Sequence, residues 1–350
     1  MVTNPSEILA LTNEAAILVH RGKVKYANPC ACGILGPDCV GHTVRELFGA
    51  DIAGTQASSF ISGLRLGKRQ YVLRVSPVDD NQVYFLSPLD IGAEYMNDAF
   101  LFALRNSLSG FGLAAEQLRE LAEAQGGAIV SCLNAMTHSY YRISRLIRNV
   151  SLVRDAASES LIHDSQIYDL AELCRSLVRT VTALLPEENI IFRFDGSIPV
   201  CGNPAMVEAL LENLLSNCMT HAHQRTRIML NLVDSGDSVI LSVSDDGCGI
   251  PPEHLSKVFD RYRYAFGLHD MSSGSGFGLS AALAAAERHG GTLLLESRPS
   301  SGTSVRVSLR KGNLETLHIS PSEYLGNMED VLTGFADCLP DSCFSSKYLD

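Results

Sequence analysis

The 350-residue sequence has no uncharged apolar run of the roughly 18–20 residues that a membrane span requires, and no signal-peptide pattern at its N-terminus. Positive charge is scarce as well, and the formal net charge is -11. Because phosphate backbones and anionic lipid repel such a protein, this balance argues against a nucleic-acid partner and against membrane insertion. We expect a cytoplasmic protein of two or three ordinary globular domains.

The sequence also lacks the residue spacing of a cysteine–histidine metal site. Its ten cysteines include the close group Cys30, Cys32 and Cys39 and the pair Cys338 and Cys343, but none of them forms a paired CxxC set. In a reducing cytosol we expect free thiols, with a metal or disulfide role as the minor alternative.

Residues 7–90 alternate short apolar runs with turn signals. Four strand patterns form two hairpins, at residues 16–19 with 24–26 and at residues 70–75 with 82–86. A partly helical stretch with the motif VGHTVRELF lies between the hairpins, and Asn28 follows the second strand. This region resembles a PAS domain, which implies a PAS-like sensor domain. A small domain that only dimerises is the alternative, since nothing in the sequence marks a ligand pocket.

Residues 94–156 carry two apolar patterns of heptad type, separated by a glycine turn near Gly126. The repeated positions are Leu101, Leu104, Leu108, Phe111, Ala115, Leu118 and Ala122, then Ile129, Leu133, Met136, Tyr140, Ile143, Ile147 and Val150. Such a pattern predicts an antiparallel helical hairpin. Because a lone hairpin leaves its seam half covered, we predict a homodimer that pairs two hairpins into a four-helix bundle.

Residues 165–310 mix helix and strand patterns and predict an α/β domain. Helix patterns cover about 169–185, 204–222 and 277–289, and strand patterns lie near 190–194, 227–233, 239–244, 292–296 and 304–309. Residues 311–350 form an acidic tail with one predicted helix, which begins near Ser320 and ends near Phe335. This helix could pack on the main body or on a partner.

The helix pattern at 204–222 is amphipathic and carries two asparagines. Asn213 and Asn217 are four residues apart, so both side chains point from one face, about one turn from each other. Amide oxygens can ligate Mg2+ while the phosphates of a nucleotide supply negative charge. A pair of solvent-facing asparagines is the alternative.

A strand pattern ends at Asp245, and two glycines follow it at Gly247 and Gly249. A carboxylate at a strand end can accept a hydrogen bond from an exocyclic amine such as that of adenine. The glycines allow the backbone to approach a ligand closely. An ordinary Asp-Gly turn is the alternative.

A second glycine-rich loop opens the last helix pattern, with Gly274, Gly276 and Gly278 at alternating positions. The free N–H groups and the dipole of a helix N-terminus attract anions. The loop is not a Walker motif, because no lysine follows its last glycine, and no strand precedes it as a dinucleotide fold requires. A flexible loop without a ligand is the alternative.

The order of the segments ENLLSN, DDGCGI, FDRYR, GSGFGLS and HGGTLLLESRPSSGTSVRV resembles the ATP-binding domain of sensor histidine kinases, in the GHKL superfamily. The resemblance implies an α/β sandwich that binds ATP and Mg2+, in an α+β multidomain chain. It assigns Mg2+ and phosphates to Asn213 and Asn217, and adenine to Asp245. The other nucleotide-contacting residues implied are Gly247, Gly249, Phe259, Arg261, Gly274, Gly276, Gly278, Leu279 and Thr303. This sequence departs from the family at Thr220, where a basic residue is common, and mildly at Cys218, where alanine is.

The hairpin resembles the dimerisation and phosphotransfer hairpin of the same kinases, but its phosphoacceptor box is degenerate. Phe102 stands where the phosphorylated histidine is expected, and Ala103 stands in place of its acidic neighbour. The next histidine along the chain is His138. It lies about 12 residues after the turn, whereas Phe102 lies about 24 before it, so their levels differ by roughly 18 Å at about 1.5 Å per residue. We expect His138 to face outward and to be a poor acceptor.

Binding of ATP and Mg2+ can persist when one phosphoacceptor is lost, because phosphoryl transfer depends mainly on positioning and charge neutralisation. Three hypotheses follow for a cytosolic two-component signalling protein. The chain phosphorylates a residue of a partner; or it is an ATP-dependent dimeric scaffold, a pseudokinase, for a response regulator or another kinase; or it phosphorylates itself at His138. The loss of the acidic residue at Ala103 counts against the third hypothesis.

Overall fold

The computed structural model describes residues 9, 12, 14–49, 52, 59–67, 69–88, 108, 111, 115, 118, 127–157, 165–221, 226–251, 277–312 and 328–344. Within these ranges, no helix combines the length and the apolar character that crossing a membrane requires. Nor do the described residues contain a group of three or more histidine, cysteine or acidic side chains arranged to hold a metal ion. All ten cysteines are free thiols.

Residues 15–88 form an antiparallel sheet with two short helices. Its strands are β1 (Ala15–His20), β2 (Lys23–Ala27), β3 (Phe60–Leu66), β4 (Arg69–Val78) and β5 (Asn81–Pro88), in the spatial order β2-β1-β5-β4-β3. Helices α1 (Pro29–Leu35) and α2 (Val44–Phe48) lie between β2 and β3 in the chain. Both predicted hairpins and the helical stretch are confirmed, whereas β3 was not predicted. The PAS assignment stays a prediction.

Asn28 joins the start of α1 to the strands before it. Its Oδ1 accepts hydrogen bonds from the Ala31 N–H at 2.9 Å and from the Ala16 N–H at 3.0 Å. Its Nδ2 donates to the Glu14 carbonyl at 2.8 Å, and the side chain is fully buried. The asparagine that carried part of the PAS resemblance therefore has a structural role in this fold.

We expect Asn28→Ala to lower the free energy of unfolding by about 2–4 kcal/mol, because it removes a helix N-cap and leaves buried N–H groups without acceptors. Urea denaturation followed by circular dichroism measures this loss. Asn81→Ala is the matched control, since the Asn81 side chain makes a part-buried contact with His20 at 3.0 Å. For the control we expect a loss under about 1 kcal/mol. Equal losses in the two variants would contradict the role assigned to Asn28.

The second helix of the predicted hairpin is the long helix α3 (Gly127–Ala157). Three residues of its predicted seam, Leu133, Ile147 and Val150, are buried, whereas Ile129 and Ile143 are 43% and 44% exposed. The buried face of α3 is therefore only partly the predicted seam.

Only four residues of the first predicted helix are described, and all of them are helical: Leu108, Phe111, Ala115 and Leu118. Phe102 and Ala103 lie outside the described residues, as does the rest of that helix. The four-helix bundle and the homodimer stay predictions.

Residues 166–310 contain three helices, five strands of the large sheet and a separate two-stranded sheet. The helices are α4 (Leu170–Leu184), α5 (Pro204–His221) and α6 (Gly278–Arg288); the strands are β6 (Gln166–Asp169), β7 (Asn189–Arg193), β8 (Pro199–Gly202), β9 (Arg227–Asp234), β10 (Ser238–Asp245), β11 (Leu293–Ser297) and β12 (Thr303–Arg310). The large sheet has the order β11-β12-β10-β9-β7, with only the β7–β9 pair parallel among these strands. The predicted helices and strands are confirmed, whereas the β6–β8 pair was missed.

The two sheets join edge to edge. Strand β3 pairs antiparallel with β11, which makes one ten-stranded sheet. A Cβ added at Gly63 of β3 would lie 2.1 Å from the Leu283 side chain of α6, so a larger residue at this position would require that side chain to move. Nothing in the sequence predicted this pairing, because each edge strand follows ordinary local rules.

The tail returns to the body of the molecule. It contains α7 (Met328–Gly334) and a 3-10 helix (Asp341–Phe344), while residues 313–327 lie outside the described part of the chain. Phe335 and Phe344 are fully buried in the main core, together with residues of α4 and α5. Of the two partners that the sequence allowed for the tail, the structure shows the main body.

Candidate functional site

Helix α5 carries the first predicted motif. The Oδ1 of Asn203 accepts a hydrogen bond from the Met206 N–H at 3.2 Å and caps the helix, and Pro204 occupies its first position. Both predicted metal ligands stand on this helix, where Asn213 is fully buried and Asn217 is partly exposed. The expectation of an amphipathic helix is wrong, because neighbours cover α5 on nearly every side.

The amide of Asn213 is saturated by hydrogen bonds. Its Oδ1 accepts from the Arg145 guanidinium at 3.1 Å and from the Asn149 amide at 3.0 Å, both on α3. Its Nδ2 donates to the Asn149 Oδ1 at 2.9 Å and to the Ala209 carbonyl at 2.8 Å. An amide oxygen has two lone pairs, and both are occupied here. Binding of a cation by this oxygen therefore requires that α3 give up at least one contact.

The third predicted motif lies against the first. A Cβ added at Gly278, the first residue of α6, would lie 2.8 Å from the Asn213 Oδ1. The N-terminus of α6 therefore faces the Asn213 amide, as an anion-binding site beside a metal ligand would require. The predicted residue Leu279 is buried directly after it.

Asp245, at the end of β10, holds the loop that follows it. Its Oδ1 accepts from the Gly247 N–H at 2.9 Å and from the Thr303 N–H at 3.3 Å. Asp245 also lies beside Cys218 of α5. Burial raises the pKa of the Cys218 thiol well above its usual value, and the neighbouring Asp245 carboxylate raises this pKa further. The structure thus brings three predicted site residues together with Cys218.

Gly249 has a structural requirement of its own. Its φ is +66°, and an added Cβ would lie 1.9 Å from the Arg298 carbonyl oxygen in the turn between β11 and β12. Gly302, in the same turn, would place a Cβ 1.9 Å from the Asp245 carbonyl oxygen. The predicted role of Gly249 was close approach to a ligand, but the backbone of this turn already excludes any other residue.

Four predicted site residues lie outside the described part of the chain: Phe259, Arg261, Gly274 and Gly276. Their roles stay predictions.

Comparison with known proteins identifies an ATPase domain in this chain. Residues 202–313 match the histidine kinase-, DNA gyrase B- and HSP90-like ATPases. The chain is 27% identical over 161 residues to the sensor protein IrlS of Burkholderia pseudomallei, a match that covers 46% of this chain and 35% of IrlS. It is 31% identical over 161 residues to the sensor-type histidine kinase PrrB of Mycobacterium leprae, with the same two coverages of 46% and 35%. The chain therefore contains an ATPase domain of the histidine kinase type, and it is similar to sensor histidine kinases.

The chain spans between 35% and 48% of the length of the curated relatives that it matches first. Among solved structures, full-length ShkA in complex with AMPPNP covers 60% of this chain and 44% of its own, at 18% identity and a TM-score of 0.48. The match of residues 202–313 to this ATPase family confirms the predicted GHKL-type domain.

A layer of buried charge lies between the kinase-family domain and α3. Glu212, next to Asn213, is fully buried and forms an ion pair with Arg148 of α3. One turn earlier, burial raises the pKa of Glu208 to about 8, and Glu212 and Asp330 add to the rise. Sequence reasoning missed this layer, because charged residues on a predicted helix are ordinarily assigned to solvent.

His138 is not the outward-facing residue that the sequence predicted. Its side chain is 19% exposed and is covered by the tail. Its Nδ1 lies 2.5 Å from the Asp341 carboxylate, its Nε2 lies 2.6 Å from the Ala336 carbonyl oxygen, and its ring stacks on Phe344 at 4.6 Å. Since both ring nitrogens are engaged, no nitrogen is available to accept a phosphoryl group in this arrangement.

Proposed function

We propose that this chain is a histidine-kinase-family signalling protein that binds Mg-ATP beside α5. The observation that carries the proposal is the convergence of three motifs on one helix. Asn213 lies against Gly278, and Cys218 lies against Asp245. A phosphate end and a base end of the site would therefore lie on the same helix, five residues or about 7.5 Å apart.

In this proposal, Asn213 and Asn217 hold Mg2+ through their amide oxygens, and Asp245 accepts from the adenine amine. The residues expected to line the rest of the nucleotide are Gly247, Gly249, Phe259, Arg261, Gly274, Gly276, Gly278, Leu279 and Thr303. The chemistry of the described donors suits the cofactor, because amide oxygens are hard ligands, but the Asn213 oxygen becomes available to a cation only when α3 releases it. When bound, Mg2+ would neutralise phosphate charge in a protein of net charge -11.

We propose that the chain uses the nucleotide to act on a partner protein, which it phosphorylates or regulates in a two-component pathway. Phe102 and Ala103 replace the residues expected at the phosphoacceptor box. The engaged ring nitrogens of His138 argue against that residue as a substitute acceptor. A response regulator or another kinase is the expected partner, and residues 94–156 are the proposed homodimer contact.

A second candidate function is a catalytically silent scaffold whose conformation ATP controls. The observation that favours it is the saturated amide of Asn213, which couples any bound cation to a movement of α3. Incubation with γ-labelled ATP, alone and with a response regulator, separates the two functions. Label on the partner supports the kinase, and nucleotide binding without transfer supports the scaffold.

We expect Asp245→Asn to weaken Mg-ATP binding by about 10- to 100-fold, since hydrogen bonds to charged groups contribute about 1.5–3 kcal/mol. The Oδ1 of Asp245 is held by two N–H groups, so the substitution places an amide donor where the adenine amine would also donate. Isothermal titration calorimetry measures the affinity. Asp246→Asn is the matched control, because Asp246 accepts from the Arg227 N–H at an exposed position. Unchanged affinity in Asp245→Asn would refute the proposed base contact.

A further inference from the structure

Arg145 joins three parts of the molecule. From α3, its guanidinium donates to the Asn213 Oδ1 at 3.1 Å, to the Ser216 hydroxyl at 2.9 Å and to the Asp337 carboxylate at 2.7 Å. Its side chain is 4% exposed and that of Asp337 is 16% exposed. A buried guanidinium is therefore positioned on the proposed metal ligand by a carboxylate of the tail.

The position of Arg145 excludes the cation that Asn213 is proposed to bind. Arg145 and Asn149 together occupy both lone pairs of the Asn213 oxygen. A guanidinium that touches this oxygen also repels a divalent cation, and burial strengthens the repulsion. The observed packing of α3 and coordination of Mg2+ by Asn213 are mutually exclusive.

The tail stabilises the packing of α3 that blocks the site. Asp337 supplies the counter-charge for Arg145 and also contacts Arg142 at 3.2 Å. Removing one partner of a buried ion pair leaves an uncompensated charge, which is strongly destabilising. Phe335 and Phe344, fully buried on either side of Asp337, anchor the segment to the core.

We propose that residues 328–344 form an autoinhibitory segment, which holds Arg145 on Asn213 and must loosen before Mg-nucleotide can bind. The proposal rests on the proposed function, because it concerns the same Asn213. It adds that the tail controls access to this site, so that a partner or ligand that draws the tail away would open it.

Hydrogen exchange on the full chain, with and without saturating Mg-ADP, tests the proposal directly. The Phe335 and Leu339 amides donate within the segment, to the carbonyls of Val331 and Phe335. We expect Mg-ADP to speed their exchange at least about tenfold, because binding selects the state in which the segment is released. Binding with unchanged or slower exchange would overturn the autoinhibitory segment and leave the proposed function intact.

Two variants separate the roles of the charges. We expect Asp337→Asn and Arg145→Gln each to raise Mg-ADP affinity about tenfold, because each weakens the blocked state. Asp341→Asn removes an equal charge from the same segment, but its side chain is 58% exposed and contacts His138, so we expect less than about a twofold change.

The pattern of affinities decides the outcome. A rise in Asp337→Asn with a fall in Arg145→Gln would mean that Arg145 binds nucleotide, and would overturn the autoinhibitory role. Equal rises in Asp337→Asn and Asp341→Asn would reduce the effect to net charge and would also overturn it. If the Asp337→Asn variant binds Mg-ADP and the unmodified chain does not, the result would support the autoinhibitory role of the segment. Absence of binding in every variant would refute both the segment and the proposed function.

Discussion

Stability should fall steadily as the pH rises from about 4.5 to about 8, and Glu208→Gln should remove much of this fall. The pKa of Glu208 is raised from its usual value of 4.5 to about 8. Between these values the folded chain keeps a proton that the unfolded chain has released, so the free energy of unfolding decreases with pH. At 1.36 kcal/mol per pKa unit, the loss is at most about 5 kcal/mol.

The cause of the effect is the surroundings of Glu208 on α5. Burial is the largest contribution, Glu212 and Asp330 repel its charged form, and only Arg148 favours that form. Loss of stability should therefore be complete above the raised pKa and absent below about 4.5. A glutamine in this place keeps the shape of the side chain and has no proton to release.

Urea denaturation at several pH values between 5 and 8.5 measures the effect. The informative quantity is the difference between Glu208→Gln and the unmodified chain, since it cancels the contribution of groups that do not interact with Glu208. Glu329→Gln, an exposed residue on α7, is the control and should leave the slope unchanged. Parallel pH profiles for Glu208→Gln and the unmodified chain would show that Glu208 is ionised normally.

The elements of the kinase-family domain could be predicted because they follow local rules. The spacing of Asn213 and Asn217, the acidic end of β10 and the glycine that begins α6 each involve few adjacent residues. Helix and strand patterns placed α4, α5 and α6 within about a residue of their observed ends. Their order along the chain then sufficed to indicate a nucleotide site.

The contacts between α3 and the Asn213 amide could not be predicted from the same patterns. Arg145 and Asn213 are 68 residues apart in the chain, and no local rule pairs them. The heptad pattern predicted a buried face of apolar residues on α3. The face that is buried also includes four residues with polar groups, spaced four apart: Thr137, Tyr141, Arg145 and Asn149. These polar residues lie one or two positions after the predicted seam residues, so the buried face of α3 is rotated from the predicted seam and includes the residues that contact α5.

The pairing of β3 with β11 shows the same limitation at a longer range. The Ser62 hydroxyl donates to the Leu293 carbonyl at 2.9 Å, across 231 residues. Edge strands expose unpaired backbone N–H and C=O groups, which can form hydrogen bonds with strands of many different sequences. The close approach of Gly63 to the Leu283 side chain is likewise seen only in the folded chain.

Substitution of Gly249 tests whether the glycine of this motif is required by a bound nucleotide or by the surrounding protein backbone. We expect Gly249→Ala to lower the free energy of unfolding by about 2–5 kcal/mol. A left-handed φ of +66° costs a residue with a side chain about 1–2 kcal/mol. Displacing the turn that carries the Arg298 carbonyl adds about 1–3 kcal/mol, because overpacking forces the backbone to move.

Gly236→Ala separates the two contributions, because Gly236 has a φ of +79° and nothing within 4 Å of an added Cβ. It should lose only the conformational part, about 1–2 kcal/mol. Urea denaturation of both variants gives the difference, and calorimetry with Mg-ADP shows whether affinity falls with it. If Gly249→Ala loses no more stability than Gly236→Ala but abolishes binding, the glycine is required by the nucleotide. If stability falls further, the Arg298 turn alone explains it, and the motif positions Asp245 through the backbone of that turn.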